Sequence, residues 1–230
     1  MARLPRSLTV VADSSVHKVW RGHNREPNLG TPGQKAKYLD FLNDDLENEK
    51  YDVGCALQAL CLMTNHAHEM FDISKPREFS NHMRRHHSRY GMYFNKLNGR
   101  CGKVAQDRPK TCLIADEEHE MKAVFYIHAN PIRANIVKDA RNYAWSTHKL
   151  YAFGKREPWM RNIKLPEWYL KLGKNWKLRQ KRYRQLFAAY LKQFGRFKQR
   201  FLHELFYGPN LWMQKRHLLV TKWYLEHAPP

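Results

Sequence analysis

Residues 61–71, with the sequence CLMTNHAHEMF, constrain the fold of this chain more than any other segment. The run is apolar on both sides of Thr64 and Asn65, which is typical of two strands joined by a tight turn. His66 and His68 stand near the start of the second strand. Because side chains two residues apart in a strand project from the same face, both imidazoles can reach one ion. The segment predicts a metal site, although two histidines on a half-polar strand face also occur without any ligand.

A second segment, residues 124–137 (VFYIHANPIRANIV), carries polar groups at helical spacing. Acidic residues at 116–118 begin a helix where the helix dipole favours negative charge, and Pro131 is expected to end it. Tyr126 and Asn130 are then four residues apart on one helical face. An Asn oxygen can bind a metal, and a Tyr one turn earlier would lie beside the same ion. A Tyr at this spacing is also typical of a core aromatic, so this segment alone does not decide the function.

Together, the two segments resemble the single-tyrosine HUH transposases, in particular the REP-associated tyrosine transposases. The resemblance covers roughly residues 15–153, and it depends on the order and spacing of several stretches rather than on one motif. The stretches are RGHNR at 21–25, NHAH at 65–68, RY at 89–90, YFN at 93–95, YIHANPIRA at 126–134 and YAWST at 143–147. The family has an α+β core built on an antiparallel sheet.

The predicted order of elements agrees with such a core. We predict strands at residues 16–21, 55–63, 66–71 and 104–114, and helices at residues 32–50, 76–97 and 117–131. This order is typical of an antiparallel sheet with helices on one face, of ferredoxin-like or RRM-like type. Pro109 should lie at an edge or a bulge of the last strand. We therefore expect an HUH domain at residues 1–153, followed at residues 154–230 by a linker and a basic, aromatic-rich helical extension.

The resemblance implies the chemistry of the site. Tyr126 would be the nucleophile, and His66, His68 and Asn130 would bind Mg²⁺ or Mn²⁺, a Lewis acid for the scissile phosphate. Attack by the phenol would leave a 5′-phosphotyrosine and a free 3′-hydroxyl, and a second 3′-hydroxyl could rejoin strands without ATP. The implied substrate is single-stranded DNA next to imperfect hairpins. His128 is a further candidate ligand or proton carrier.

The charge of the chain favours a polyanionic partner. The 230 residues include 41 Lys and Arg against 21 Asp and Glu, a net charge of +20. Such an excess attracts nucleic acid first and an anionic membrane surface second. The sequence has no apolar run of the length that spans a bilayer and no signal-peptide core. We expect a cytoplasmic, nucleoid-associated protein, and a monomer rather than a homodimer.

Twelve side chains are candidates for DNA contact, because they are basic or amide groups in the stretches described above or in the extension. They are Arg21, Asn24, Arg25, Arg84, Arg85, Arg89, Gln106, Arg108, Lys110, Arg133, Arg179 and Arg182. The three arginines at 84–89 lie on a helix whose outer face carries one acid, Glu78, and such a bias favours phosphate contact over simple solvation.

Two other functions fit the same features. A module on this fold could recognise hairpins without cutting them, and an RNA-binding protein would have a similar charge and topology. The presence of Tyr126, Asn130 and both histidines favours the enzyme, because a decayed site is expected to lose at least one of them. A metal-independent preference for RNA over DNA would favour the RNA-binding protein.

Overall fold

The computed structural model describes residues 4–193 and 204–227. Its strands are β1 (Ser14–Arg21), β2 (Cys55–Leu62), β3 (His66–Ile73), β4 (Lys110–Ile114) and β5 (Phe206–Tyr207). Its α-helices are α1 (Pro32–Glu47), α2 (Pro76–Leu97), α3 (Glu117–Arg133), α4 (His148–Phe153), α5 (Glu167–Lys171), α6 (Trp176–Gln193) and α7 (Asn210–Glu226). The sheet has the order β2-β3-β1-β4-β5, with antiparallel pairing except between β4 and β5, which run parallel. The α+β class and the antiparallel core are confirmed.

Helices cover both faces of the sheet, whereas the order of elements in the sequence predicted helices on one face. On β1, Trp20 stacks on His87 of α2 at 5.3 Å and contacts Tyr38 of α1 at 5.4 Å. His17, which projects from the other face, lies 5.9 Å from the ring of Tyr126 on α3. The physical reason is that five consecutive residues of β1 are buried, and a strand buried on both faces needs cover on both.

The starts of α1 and α2 follow the predicted signals. Thr31 accepts a hydrogen bond from the N–H of Gln34, and the Gln34 side chain accepts one from the N–H of Thr31, so the two form a capping box. Pro32 and Pro76 occupy the first positions of their helices, where a missing N–H costs nothing. Both helices begin where the sequence predicted.

The strand predicted at 104–114 is shorter than expected, because β4 begins only at Lys110. Pro109 directly precedes it and has no N–H to donate to the β1 ladder. The chain nevertheless stays close to the end of β1, since Ala105 forms an isolated bridge with Gly22 and the Gln106 N–H donates to the Arg21 carbonyl at 2.9 Å. Pro109 thus lies just outside β4, where no ladder hydrogen bond needs a backbone N–H from it.

Helix α3 continues past Pro131, where the sequence predicted its end. The Asn130 side-chain Nδ2 donates to the Tyr126 carbonyl at 2.9 Å and approaches the Ile127 carbonyl at 3.5 Å. Ile127 is the residue whose carbonyl loses its helical partner at Pro131. Asn130 thus compensates part of that loss, and α3 runs on to Arg133.

The extension packs on the core through aromatic side chains. Tyr183 and Phe187 of α6 are buried, and their rings lie 5.4 and 5.8 Å from Phe125 of α3. The helical spacing of Tyr183, Leu186, Phe187 and Phe194 predicts one apolar set that packs on the core. Leu186 is nevertheless exposed, and Phe194 lies outside the described residues. The division at residue 153 stays a prediction, although α4 ends there. Within residues 4–193 and 204–227, no helix has the length and apolar character of a membrane span.

Candidate tyrosine and histidine site

The predicted site residues converge between β3 and α3. The rings of His66 and His68 meet edge to face, with centroids 4.8 Å apart. The His68 ring lies 5.6 Å from the ring of Tyr126 across the interface between strand and helix. Since β3 pairs with β1 on one side and β2 on the other, the two histidines sit on an interior strand that the sheet holds firmly. Strand periodicity accounts for the neighbouring histidine rings, and the contact between His68 and Tyr126 is the one that the resemblance implied.

The orientation of His66 is set by the preceding residue. The His66 Nδ1 lies 2.7 Å from the Asn65 Oδ1. The Asn65 amide is itself oriented, because its Nδ2 donates to the Arg25 carbonyl at 3.0 Å. An amide oxygen only accepts hydrogen bonds, so His66 donates from Nδ1 and keeps a lone pair on Nε2. Burial, assisted by the charge of Arg21, lowers the pKa of His66 to about 4, so the ring is neutral at pH 7.

His68 is fully buried and has one nitrogen available to a ligand. Its Nδ1 lies 3.0 Å from the Nε2 of His17. Its Nε2 makes no hydrogen bond to any residue that the structure describes. Burial lowers the pKa of His68 well below its usual value, and the nearby His66 and His17 add to the effect. A buried, neutral imidazole nitrogen without a partner fits a metal ligand.

Asn130 lies one helical turn after Tyr126 and is 8 % exposed. Its Nδ2 donates to carbonyls of the α3 backbone, so these hydrogen bonds do not use the amide oxygen, the atom that a metal would need. The described residues contain no group of three or more His, Cys, Asp or Glu suited to a metal ion, and the expected ligand set has only two residues of those types. Two neutral imidazoles and an amide oxygen fit a weakly held divalent cation.

Tyr126 is almost fully enclosed, with 2 % of its surface exposed. The guanidinium carbon of Arg133 lies 4.6 Å from the centroid of its ring. Burial raises the pKa of Tyr126, whereas Arg133 and, more weakly, Arg21 act in the opposite direction by stabilising the phenolate. The phenol is therefore protonated at neutral pH. The charges of Arg133 and Arg21 would stabilise its ionised form.

Arg21 and Arg133 are the two DNA-contact candidates that border this site. Arg21 ends β1 and is paired in register with His66, while Arg133 ends α3 one turn after Asn130. Asn24 and Arg25 follow Arg21 in a short turn where both adopt positive φ angles of 47° and 61°. The turn lies against the site, because the Arg25 carbonyl binds Asn65.

Arg84, Arg85 and Arg108 lie on the face of the sheet that α1 and α2 cover. Arg84 and Arg108 line a pocket of about 300 Å³ together with Arg6. The guanidinium of Arg85 lies 4.2 Å from the ring centroid of Tyr51. Lys110 begins β4 opposite Val19 of β1, on the other side of β1 from β3, and Gln106 meets the end of β1 through its backbone.

Several of the candidate arginines are engaged within the protein. Arg108 donates to the Leu4 carbonyl. Arg89 forms ion pairs with Asp44 and Asp45 of α1, at 2.9 and 2.8 Å. Arg179 donates to the carbonyls of Leu170 and Gly173, and Arg182 donates to that of Leu172. The last two therefore satisfy carbonyl groups at the C-terminal end of α5. Their role in DNA contact stays a prediction.

His128 does not belong to the site, contrary to the expectation that it is a further ligand or proton carrier. It lies two residues after Tyr126 and so points to another side of α3. Its Nδ1 is 2.6 Å from the Tyr183 hydroxyl and its Nε2 is 2.7 Å from the Thr147 hydroxyl. Both nitrogens are thus used to join α3 to α6 and to the segment before α4.

Two residues that contact the histidines, His17 and Asn65, were not assigned a role by sequence reasoning. A signal for His17 exists, because the alternation of β1 places it on the same face as Arg21. Asn65 stands in the NHAH stretch itself, next to the first histidine. In both cases the contact depends on strand pairing or turn geometry that the residue pattern alone does not specify.

The fold has a counterpart among solved structures. The chain is similar to a REP-associated tyrosine transposase bound to a REP hairpin, with a TM-score of 0.54. The two sequences are 19 % identical, and the match covers 68 % of this chain and 89 % of the other. No protein-family model matches the sequence, and no curated protein matches it. The comparison shows that this chain shares the α+β fold of a REP-associated tyrosine transposase.

Proposed function

We propose that this protein is a metal-dependent single-stranded DNA endonuclease and strand transferase that cuts next to hairpins through a 5′-phosphotyrosine at Tyr126. The observation that carries the proposal is the position of Tyr126 against His68. Their rings are 5.6 Å apart, and the His68 Nε2 has no partner among the described residues. A nucleophile beside an unsatisfied, neutral imidazole is the arrangement that metal-assisted phosphoryl transfer needs.

His66 and His68 would hold a divalent cation through their Nε2 atoms, and Asn130 through its amide oxygen. Mg²⁺ or Mn²⁺ suits this set, because it contains no thiolate and would be completed by phosphate oxygens. When bound, the cation would polarise the scissile phosphate as a Lewis acid. Neutral rings need to lose no proton to bind it, which agrees with the lowered pKa of both histidines.

In the first step the Tyr126 oxygen forms a bond to phosphorus, and the bond from phosphorus to the 3′-oxygen breaks. The phenol loses its proton and the departing 3′-oxygen gains one, so charge and atoms balance. Arg133 stabilises the phenolate in this step. Because only 2 % of Tyr126 is exposed, side chains around it must move aside before a phosphate can reach its oxygen. In the second step an incoming 3′-hydroxyl attacks the phosphotyrosine and releases Tyr126.

Single-stranded DNA with a hairpin is the proposed partner. The net charge of +20 supports a polyanion, and the solved transposase of similar fold was bound to a REP hairpin. Arg21 and Arg133 border the site and would hold the strand near Tyr126, and Arg25 would assist from the turn that binds Asn65. The account predicts a monomer that acts with the nucleoid in the cytoplasm.

A second candidate is a module that binds hairpin DNA or RNA without cutting it. The enclosed position of Tyr126 favours this alternative, because a binding protein does not need an accessible nucleophile. The two candidates share their binding surface and differ only in whether a covalent product forms. Competition between matched DNA and RNA hairpins, with and without a chelator, separates the DNA-binding form from the RNA-binding form.

The test is a cleavage assay on a set of labelled single-stranded DNA hairpins with Mn²⁺, separated on a denaturing gel. The enzyme predicts a shortened strand and a protein band that carries label, both absent with a chelator and with Tyr126→Phe. Tyr169→Phe is the matched control, because this buried tyrosine of α5 donates its hydroxyl to the Tyr151 carbonyl of α4. Tight binding without any cut strand across the set would leave the binding module as the function.

A further inference from the structure

His17 of β1 is a third histidine at the site, and the proposed chemistry does not use it. It is buried, with 1 % of its surface exposed. Its ring is nearly parallel to that of His68 and meets it edge to edge, with centroids 5.1 Å apart and planes inclined by 18°. Its Nε2 lies 3.0 Å from the His68 Nδ1, within hydrogen-bond distance.

We propose that His17 is a positioning residue, which accepts the Nδ1–H of His68 and so keeps the lone pair of His68 on Nε2, facing the metal position. This inference rests on the proposed function, because the lone pair matters only if a cation binds there. It assigns to His17 a role in setting which nitrogen of His68 can be a ligand.

The contact between the two rings needs one N–H and one lone pair, so one nitrogen donates and the other accepts. If His17 donated instead, His68 would carry its proton on Nε2 and could not bind a metal through that atom. Arg21 is paired in register with His66, and Arg133 lies over the ring of Tyr126, which is 5.6 Å from that of His68. Both cations therefore lie near the His68 ring. A positively charged neighbourhood favours a lone pair over an N–H on the unpartnered nitrogen of His68, and this favours His17 as the acceptor. His17 then carries its own proton on Nδ1.

His66 already has the tautomer that is proposed for His68. His66 donates its Nδ1–H to Asn65, which leaves its lone pair on Nε2. With His17 as acceptor, His68 adopts the same tautomer, and two Nε2 lone pairs are presented from alternate residues of β3. The two partners differ in kind, since Asn65 acts from the turn and His17 acts from the paired strand.

The backbone makes the contact between His17 and His68 rigid. In the antiparallel register of β1 and β3, Val19 is opposite His68 and Met70 is opposite His17. The two rings are therefore diagonal neighbours on one face of the sheet. A site supported by paired strands holds its geometry better than one on loops, so His17 fixes the ring of His68 as well as its tautomer.

The first test needs no metal. Two-bond ¹H–¹⁵N correlation spectra of the ¹⁵N-labelled full chain, free of metal at neutral pH, distinguish a protonated ring nitrogen from one with a lone pair. The His68 signals are identified by their loss in His68→Gln. We expect a protonated Nδ1 and an unprotonated Nε2 on His68. The opposite tautomer would overturn the inference whether or not the protein cuts DNA.

The second test measures Mn²⁺ binding by the loss of the free-ion EPR signal. His17→Phe keeps an aromatic ring but no acceptor, and we expect its affinity to fall by about 10- to 100-fold. His17→Gln can accept through its side-chain oxygen, and we expect it to bind within a few-fold of the wild type. Failure of His17→Gln to rescue binding would overturn the inference, because the role assigned is that of an acceptor.

His82→Phe is the matched control for losing a buried histidine. His82 lies on α2, on the opposite face of the sheet, and stacks on His86, so its replacement should leave Mn²⁺ affinity unchanged. Equal affinity in His17→Phe and the wild type would overturn the inference and leave the proposed metal site intact. No Mn²⁺ binding by the wild type, with or without hairpin DNA, would instead contradict the proposed function, and the tautomer measurement would still test His17.

Discussion

Arg133 lies across the ring of Tyr126, with its guanidinium carbon 4.6 Å from the ring centroid. It acts against burial, which raises the pKa of the phenol, by favouring the phenolate. The two residues are seven apart on α3, so they share one face of the helix two turns apart. The position of Arg133 at the end of α3 therefore affects how readily Tyr126, the proposed nucleophile, ionises.

Replacing Arg133 with Gln should raise the pKa of Tyr126 further. The phenolate is the reactive form, so the rate of covalent adduct formation at neutral pH should fall, and its rise with pH should move to higher pH. The measurement is the rate of adduct formation between pH 6.5 and 9.5. Arg141→Gln is a matched control, because Arg141 lies over the ring of Phe153 away from the site. An unchanged pH profile in Arg133→Gln would show that Arg133 does not act on Tyr126.

Asn130 has two roles that a single substitution can separate. Asn130→Asp keeps an oxygen for the metal but removes the Nδ2 donor to the Tyr126 and Ile127 carbonyls. We expect Mn²⁺ affinity to be kept or increased, and the free energy of unfolding to fall by about 1 kcal/mol for the lost hydrogen bonds. Urea unfolding and Mn²⁺ titration measure the two effects. A loss of metal binding with unchanged stability would contradict this division of roles.

The buried pair of Lys18 and Glu69 is predicted to control stability rather than activity. Both side chains are fully buried, and Glu69 also accepts a hydrogen bond from Tyr38 at 2.8 Å. Glu69→Gln leaves a buried cation without its partner and should reduce the free energy of unfolding by about 3–5 kcal/mol. Adding Lys18→Met removes that cation and should recover most of the loss. Equal stability of the single and double variants by urea unfolding would rule out this account.

Replacing Arg84 and replacing Arg179 should have different effects on DNA binding, although both residues were predicted to contact DNA. Arg84 is exposed beside Arg108 in a basic pocket, whereas Arg179 caps carbonyls at the end of α5. Arg84→Gln should weaken DNA binding and reduce the dependence of log affinity on log salt concentration by about 1. Arg179→Gln should mainly lower thermal stability. Fluorescence anisotropy over a salt series, together with melting curves, distinguishes the two, and matching salt slopes would refute the contrast.

Local signals in the sequence predicted the parts of the fold that depend on nearby residues. Thr31 and Pro32 mark the start of α1, and Pro76 marks the start of α2, because capping and proline geometry are local effects. The approach of His68 to Tyr126 was implied by the family resemblance. Spacing itself predicted the shared strand face of His66 and His68 and the shared helical face of Tyr126 and Asn130. These are the features for which residue spacing is sufficient.

The remaining features depend on tertiary contacts that spacing does not encode. The two-residue strand β5 is too short to show a period, and its parallel pairing with β4 joins distant parts of the chain. Helix α3 passes through Pro131 because the Asn130 side chain bonds the backbone there. The contact of His17 with His68 depends on the register between β1 and β3. The sequence did not predict these three features, because each depends on a partner in another element or on the orientation of a side chain.

The central claim is that Tyr126 becomes covalently joined to DNA. The most direct measurement is mass spectrometry of the protein after reaction with hairpin DNA and Mn²⁺, followed by nuclease and protease digestion. The account predicts a nucleotide remnant on the peptide that contains Tyr126, attached to that residue and absent from Tyr126→Phe. A remnant on another residue, or cut DNA without any remnant, would contradict it.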